Sequence, residues 1–376
     1  MITDNRDGTL SVHRLVQSLA RTPDPRDPHR QQDDITSALH QATWCLRAAL
    51  SLTPEVPAQW PVLRALLPHV DTLASHSPPD SDTHTTATLL NQVGHFLSNQ
   101  GQAQRAAIYL GRALADLVRV LGDNHPDTLT ARNNLAGTFA AAGDLARAIP
   151  LFEQALADQV RVLGKDHPHT LTSCNNLAYA IAAAGDPARA IPLFEQALAD
   201  QVRVLGDDHP DTLTTRNNLA YTCRVTRDPG RAILLFEQAL ADRVRVLGED
   251  HPDTLSSRNN LASAYESAGD LARAIPLFEQ ALADRVRVLG KDHPHTLTSC
   301  HNLAFAHEAA GDLGRAIPLY AKALADQVRV LGSDHLHTLT TRNALAFAYV
   351  QVGDLGRALP LFGLTGQKRT LGEEHH

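Results

Sequence analysis

A block of about forty residues, written six times at a fixed 42-residue step, constrains this 376-residue chain more than any other feature. The heptapeptide FEQALAD recurs verbatim from Phe152, Phe194, Phe236 and Phe278. The pattern Leu-Gly-x-x-His recurs from Leu121, Leu163, Leu205, Leu247, Leu289 and Leu331. A period of this length signals stacked units, each with an apolar face that only a neighbouring unit can cover. Such a stack grows by addition and escapes the core-size ceiling of a globular domain. Its function is spread along a surface, so the expected role is recognition and the chain is read as a non-enzyme.

Composition narrows the class. Hydrophobic residues make up 43% and aromatics only 5%, with abundant Ala, which implies helices packed closely around small side chains. The balance of 34 basic and 41 acidic residues gives a net charge of −7 without a basic cluster, so nucleic acid is not an expected partner. No apolar run approaches the roughly 20 residues needed to cross a bilayer, so no membrane is expected. Cys45, Cys174, Cys223 and Cys300 show no CxxC spacing and no leader precedes them, which places the expected site of action in a reducing cytoplasm. Cys174 and Cys300 share one repeat position three units apart, too far to bridge, and read as small core thiols.

Within residues 126–164, Leu135, Ala136 and Phe139 share one helical face, and Ala148, Leu151, Phe152, Ala155 and Leu156 a second. Two helices per repeat follow. Between them Gly143 supplies a residue tolerant of positive φ and Asp144 an N-cap carboxylate, and the pair repeats from Gly185, Gly269, Gly311 and Gly353. The other turn reads LGxDHPxTL, with Pro126 and its equivalents opening the next first helix; either Asp or His is its N-cap. Pro150, Pro192, Pro276, Pro318 and Pro360 lie inside the second helix, where a bend is expected, with a straighter helix where Leu234 replaces proline.

A degenerate seventh unit precedes these, with Asn91, Gly94, Leu97, Gly101, Ala106 and Leu110 one period upstream, so the array begins near His84. The expected domains are 1–22, 23–83 and the array at 84–376. Residues 30–76 read as two or three less regular helices, Ser75 to Asp82 as a linker, and the stretch from Gly8 as a short strand entering a helix. Gly363 and Gly366 damage the last second helix. The terminal apolar face is then either frayed or covered, which makes a homo-oligomer through that end a possible partner arrangement.

With Leu135, Ala136, Phe139, Ala148, Phe152 and Ala155 in place, the unit resembles the tetratricopeptide repeat. The 42-residue length and LGxxHPxTLxxxNNLA are similar to the variant in kinesin light chains and in bacterial STAND proteins of the NB-ARC type. The resemblance implies an all-α fold: a right-handed superhelical tetratricopeptide solenoid of helix-turn-helix repeats, with a small N-terminal winged-helix-like remnant. LSVHRLVQ from Leu10, WPVLRALLPHV from Trp60 and LLNQVGHFL from Leu89 resemble the junction between such an ATPase and its repeat sensor. No GxxxxGK[ST] occurs, so nucleotide binding is not carried over and no cofactor is expected. The chain is then a fragment, a split gene's second half or a stand-alone remnant.

In that family, the face of the first helix opposite Leu135 and Phe139 lines a concave groove. Here it carries Asn133, Asn175, Asn217, Asn259, His301 and Asn343, each followed by a second Asn except after Asn343. An amide both donates and accepts, so a ladder of them can satisfy an extended peptide backbone of any sequence. The competing reading is that each Asn bonds the adjacent repeat and sets the pitch, a role falling more on Asn134 than on Asn133. Selectivity is expected from positions that vary between near-copied repeats: Tyr179, Tyr221, Phe305 and Phe347 in bulk, Arg224, Glu266 and Glu308 in charge. Arg132, Arg216, Arg258 and Arg342 alternate with Cys174 and Cys300 and read as packed stems beside carboxylates.

The HxH pairs at His167, His293 and His335 splay their rings at a helix start and are not expected to bind metal. Ser, His and Asp are present, but only at copied scaffold positions, which argues against a triad. The reading is a protein- or peptide-binding module, the sensor half of a STAND-type protein. The alternatives are a self-associating scaffold and a regulator acting with a separately encoded ATPase.

Overall fold

The computed structural model describes residues 2–5, 9–12, 23–24, 26–28, 31–49, 60–77 and 82–370. They divide into two compact units, Met1–Ala184 and Gly185–His376. The first unit opens on an antiparallel hairpin of β1 (Ile2–Asn5) and β2 (Thr9–Val12), with Ile2 paired to Val12 and Asn5 to Thr9. The strand expected after Gly8 is therefore present as Thr9–Val12, while the helix expected to follow lies outside the described residues. Helices α1 (Gln32–Ala49) and α2 (Trp60–His76) follow, then α3 (His84–Asn99), α4 (Ala103–Leu121), α5 (Pro126–Ala141), α6 (Leu145–Leu163) and α7 (Pro168–Ala183).

From α3 to α7 each helix packs on the next in sequence, and each first helix on the first helix of the following repeat. The degenerate unit is α3 with α4. It shares a core with α2, in which Leu63, Val70 and Leu73 meet Leu90, Phe96, Leu97 and Leu110. Gly94 explains how closely α3 and α4 approach, because a Cβ there would lie 2.6 Å from Leu110 Cγ.

The linker expected between Ser75 and Asp82 is corrected at both ends. Ser75 and His76 belong to α2, and Asp82 is buried. The reason is Arg112 of α4, whose Nε and Nη2 donate to the Asp82 carboxylate at 2.6 and 3.0 Å while its Nη atoms donate to the carbonyls of Ala74 and Ser77. Burial pushes the Asp82 carboxyl up from its ordinary range, and the Arg112 guanidinium opposes that shift.

The second unit carries α8 (Pro187–Leu205), α9 (Pro210–Val225), α10 (Pro229–Leu247), α11 (Pro252–Ser267), α12 (Leu271–Leu289), α13 (Pro294–Ala309), α14 (Leu313–Leu331), α15 (Leu336–Gln351) and α16 (Leu355–Thr370). The same packing holds from α8 to α16. In both units, first helices bury an alanine at Ala136, Ala178, Ala220, Ala262, Ala304 and Ala346, and second helices one at Ala148, Ala190, Ala232, Ala274, Ala316 and Ala358. Beside them Phe152, Phe194, Phe236, Phe278 and Tyr320 are almost fully buried. Each such ring is worth roughly 2–3 kcal/mol in apolar burial.

The first-helix N-cap, open between Asp and His on sequence, is His. The Nδ1 atoms of His125, His167, His209, His251, His293 and His335 each accept from the backbone N–H two residues on, at 3.2 Å. The second helices are capped as expected, Asp144 Oδ1 accepting from Arg147 N at 3.2 Å. The internal prolines lie on the solvent side of the second helices, where a carbonyl left without its amide partner can bond water. Those helices keep 19 residues with Pro150 or with Leu234 at that position.

One turn departs from its siblings. Gly143, Gly269, Gly311 and Gly353 adopt φ of 78–79° after their first helices, whereas after α9 the residue in that conformation is Arg227, at φ 62°. A side chain there carries a steric penalty that glycine does not. Arg227→Gly is expected to raise unfolding free energy by about 1 kcal/mol, read as a higher urea midpoint at unchanged m-value.

Candidate functional site: the exposed face of the first helices

The paired Asn positions bond between layers in a consistent pattern. In the first unit, Asn134 Nδ2 donates to Asn91 Oδ1 at 3.2 Å, and Ser173 Oγ donates to Asn133 Oδ1 at 3.0 Å. In the second, Asn260 Nδ2 donates to Asn217 Oδ1 at 3.2 Å, while Asn302 Nδ2 and Ser299 Oγ both donate to Asn259 Oδ1 at 3.3 Å. His301 continues the series, its Nδ1 lying 2.9 Å from Thr341 Oγ1.

The first Asn of a pair is thus an acceptor for the next repeat, and the second Asn is the donor. This fixes the orientation of the amide and leaves its other half unused. Among the described residues the Nδ2 groups of Asn133, Asn217 and Asn259 have no acceptor, and none is a sealed, unpartnered atom. Asn133 and Asn217 are half-buried, and Asn259 is buried. Asn175, buried like Asn259, donates to Asn176 Oδ1 at 3.4 Å. Asn343 is exposed. The inter-repeat bonds of the competing reading are therefore present, and they engage both Asn of a pair, the first through Oδ1 and the second through Nδ2.

One helical turn further on, Tyr179 of α7 is 54% exposed, and in the second unit Tyr221 (α9), Phe305 (α13) and Phe347 (α15) are 48, 45 and 57% exposed. Tyr221 and Phe347 lie one turn from Asn217 and Asn343, whereas Tyr179 follows the engaged Asn175 and Phe305 follows His301; exposed aromatic rings of this kind can offer stacking and apolar contact to a bound segment. The charged positions are less free. The Arg224 guanidinium lies 4.9 Å from the Tyr221 ring centroid and donates to Ser267 Oγ at 3.4 Å. Glu308 accepts at both oxygens, from Tyr320 Oη at 2.8 Å and Gln351 Nε2 at 2.7 Å, so it braces α13 against α14 and α15. Burial pushes the Glu266 carboxyl up, with the Arg224 charge opposing.

Three of the four buried arginines at the first-helix position shared with Cys174 and Cys300 pack beside carboxylates, whereas Arg342 donates to the carbonyl of Ser333 at 3.2 Å. Arg132 donates to Asp158 at 2.7 Å and Asp123 at 2.8 Å, Arg216 to Asp242 at 2.5 Å and Asp207 at 2.8 Å, and Arg258 to Asp284 at 2.6 Å and to Glu249. Cys300 is buried and Cys174 half-buried, but Cys45 is exposed. The first His of each HxH pair is committed to its cap, and among the described residues no group of three or more His, Cys, Asp or Glu is placed to hold a metal.

Sequence reasoning missed one buried series, the residue directly after FEQALAD: Gln159, Gln201, Arg243 and Arg285, with Gln327 at the same place in the next repeat, all at most 5% exposed. The signal was available, since a Gln-to-Arg change between near-copied units introduces a charge on a helix that otherwise barely varies.

The chain belongs to the tetratricopeptide repeat family, whose models match residues 85–159, 141–201, 170–243, 254–295 and 296–363. It is similar to the Q17M form of nearly identical TPR-like repeats from a Podosopora anserina protein described as a kinesin light chain. The two are 33% identical over 55% of this chain and 98% of that one, with a TM-score of 0.50. It is also similar to a Rap protein complexed with competence and sporulation factor, at 13% identity over 96% of this chain and 91% of that one, TM-score 0.56. A tetratricopeptide repeat protein from Parabacteroides merdae matches at 13% identity over 83% of this chain and 99% of that one, TM-score 0.56. The last two likenesses show the fold alone. No curated protein matches the chain.

His301 gives the face a pH dependence. Burial holds its imidazole down to about 4, against 6.5 for the free group, with the charge of His337 acting in the same direction. A histidine whose folded value is depressed contributes stability that is fully present above pH 6.5 and is lost as pH falls through about 4. The full difference is on the order of 3 kcal/mol. Relative to His301→Asn, which restores the residue of the other repeats, the wild type should lose stability progressively below pH 6.5 in melts at stepped pH. An unchanged difference down to pH 4 would contradict the assignment.

Proposed function

We propose that the chain is a non-catalytic recognition module that holds an extended peptide or protein segment against the exposed face of its first helices. The observation that supports this reading is the row of exposed aromatic rings at Tyr221, Phe305 and Phe347, the first of them one turn from Asn217, whose Oδ1 is held by an inter-repeat bond. Backbone carbonyls of a bound segment accept from the amides whatever its sequence, and its side chains meet Tyr221, Phe305 and Phe347. The Rap protein in its complex provides a precedent for a protein of this fold engaging a partner. Substituting Tyr221, Phe305 and Phe347 by alanine should weaken capture of bound peptides by tenfold or more, as expected for exposed anchors, without lowering the melting temperature. A binding loss that tracked a loss of stability would argue against a contact role.

A narrower part of the proposal places the module as the sensor half of a STAND-type protein acting in the cytoplasm. Its support is the likeness of LSVHRLVQ, WPVLRALLPHV and LLNQVGHFL to that junction, and four cysteines of which none is in a disulfide. Co-expression with a separately encoded ATPase of that class should give a stable complex. Separate elution of the two chains would contradict it.

Self-association is the second reading. Leu355 and Leu359 of α16 are 56 and 66% exposed, an apolar pair unusual for a solvated helix. If α16 pairs between copies, the mass in solution rises with concentration and Leu355→Lys with Leu359→Lys abolishes the rise.

A further inference from the structure

The first helices α13 and α15 leave between them a cavity of about 200 Å³, lined by Thr298, His301, Gln327, His337, Thr340 and Thr341. It lies on the face that carries the exposed rings. Thr298, His301 and Phe305 stand at i, i+3 and i+7 on α13, and Thr340 and Phe347 at i and i+7 on α15. His337 and Thr340 are exposed while Gln327 is buried, so the cavity has its rim in solvent and its floor in the core. It is smaller than the roughly 300 Å³ at which pockets begin to hold drug-sized ligands, which suits a single side chain.

The repeat sequence explains why the space is there. In the two preceding repeats the residue equivalent to Gln327 is Arg243 or Arg285, and its Nη1 reaches the next first helix. Arg243 donates to Ser257 Oγ at 2.7 Å and Asp253 O at 3.1 Å, and Arg285 to Ser299 Oγ at 2.6 Å and His295 O at 3.0 Å. Gln327 is shorter, and among the described residues its side chain makes neither bond. The equivalent hydroxyl, Thr341 Oγ1, pairs instead with His301 Nδ1 at 2.9 Å.

The groups left around the cavity select one ligand chemistry. No carboxylate, lysine or arginine lines it, and burial keeps His301 uncharged at neutral pH. Thr298 and Thr340 spend their hydroxyl protons on carbonyls of their own helices, Pro294 O at 3.1 Å and Leu336 O at 2.9 Å, and so present only lone pairs. Gln327 Oε1 is sealed from solvent, whereas Nε2 is neither sealed nor bonded among the described residues and remains a donor. A carboxylate has no proton to offer two acceptor hydroxyls, and an ammonium held there would lack a counter-charge. A carboxamide carries two N–H donors, one carbonyl acceptor and no charge.

We infer that the cavity between α13 and α15 is a pocket for the carboxamide side chain of a Gln or Asn in the bound segment, its NH₂ donating to Thr298 and Thr340 and its carbonyl accepting from Gln327. The inference rests on the recognition reading above and adds a side-chain preference to it.

Gln327→Arg tests the pocket with little risk to folding, because arginine fills the equivalent space in two sibling repeats. Thr340→Val is a milder second variant that removes one acceptor at an exposed position while keeping the shape. The measurement is calorimetric titration of the full chain, each variant first checked for an unchanged melting temperature. The probes are short capped peptides of alternating Gln and Ala, Leu and Ala, or Glu and Ala, together with free L-glutamine. The Gln–Ala peptide should bind the wild type most tightly, losing about tenfold in affinity with Gln327→Arg and about fivefold, as for one neutral hydrogen bond, with Thr340→Val. Leu–Ala binding should be indifferent to both. Equal Gln–Ala affinity in the wild type and Gln327→Arg would overturn the pocket, and an equal loss for Gln–Ala and Leu–Ala would overturn its carboxamide preference. Binding of L-glutamine that depends on Gln327, without peptide binding that does, would also contradict the proposal and make this a site for a small free amide. If the peptides bind and depend on Tyr221, Phe305 and Phe347 but not on Gln327, the recognition reading stands and only the pocket fails. If no peptide binds, both fail.

Discussion

Close approach of helices at alanine is the constraint from which the rest of the structure follows. An alanine at one fixed position of every first helix from Ala136 and every second helix from Ala148 is fully buried, with the ring of Phe152, Phe194, Phe236, Phe278 or Tyr320 filling the space beside it. A larger side chain at those alanines would force the layers apart and cost about 1–3 kcal/mol of overpacking. Gly94 meets the same demand in the degenerate repeat, where even a methyl group would collide with Leu110. Once the helices lie this close, successive first helices come within hydrogen-bonding reach, and their polar residues must be reconciled across layers.

That reconciliation turns a packing necessity into a candidate site. Asn133, Asn217 and Asn259 accept bonds from the following repeat, which pins each amide and leaves its Nδ2 without an acceptor among the described residues. A freely rotating amide would have to be ordered on binding, whereas these are already ordered, so less entropy opposes ligand capture. His301 breaks the pattern. It keeps the inter-layer bond to Thr341 but packs its ring 5.4 Å from Tyr320, replacing an amide donor by an imidazole that burial keeps neutral. On the recognition proposal, selectivity arises from which repeats retain the amide, as well as from the aromatic and charged positions.

Much of the fold was legible because the repeat period, the Gly-Asp turns and the Ala/Phe pattern are local signals copied six times. The start of the array at His84 followed from one period of alignment. Elements outside the period were harder. Asp82 reads as a linker residue until Arg112, thirty positions away, is seen to bury it. The histidine caps were undecidable because Asp and His both accept from backbone amides, and only the geometry of the turn selects Nδ1. For the candidate site, the face of Asn133 and its equivalents was readable from helical periodicity. The division of labour within each amide was not, because it depends on Ser173 and Ser299 in neighbouring layers. Glu308 looked like a free groove charge because sequence could not reveal that Tyr320 and Gln351 saturate it.

The central claim is that these asparagines carry two roles at once, one atom holding the next layer and the other facing a ligand. Selective ¹⁵N labelling of asparagine allows the side-chain NH₂ signals of Asn217 and Asn259 to be followed while an extended peptide that binds the chain is titrated. The account predicts that both signals shift and exchange more slowly with solvent in step with occupancy. A saturated complex in which both signals stay where they were would contradict it.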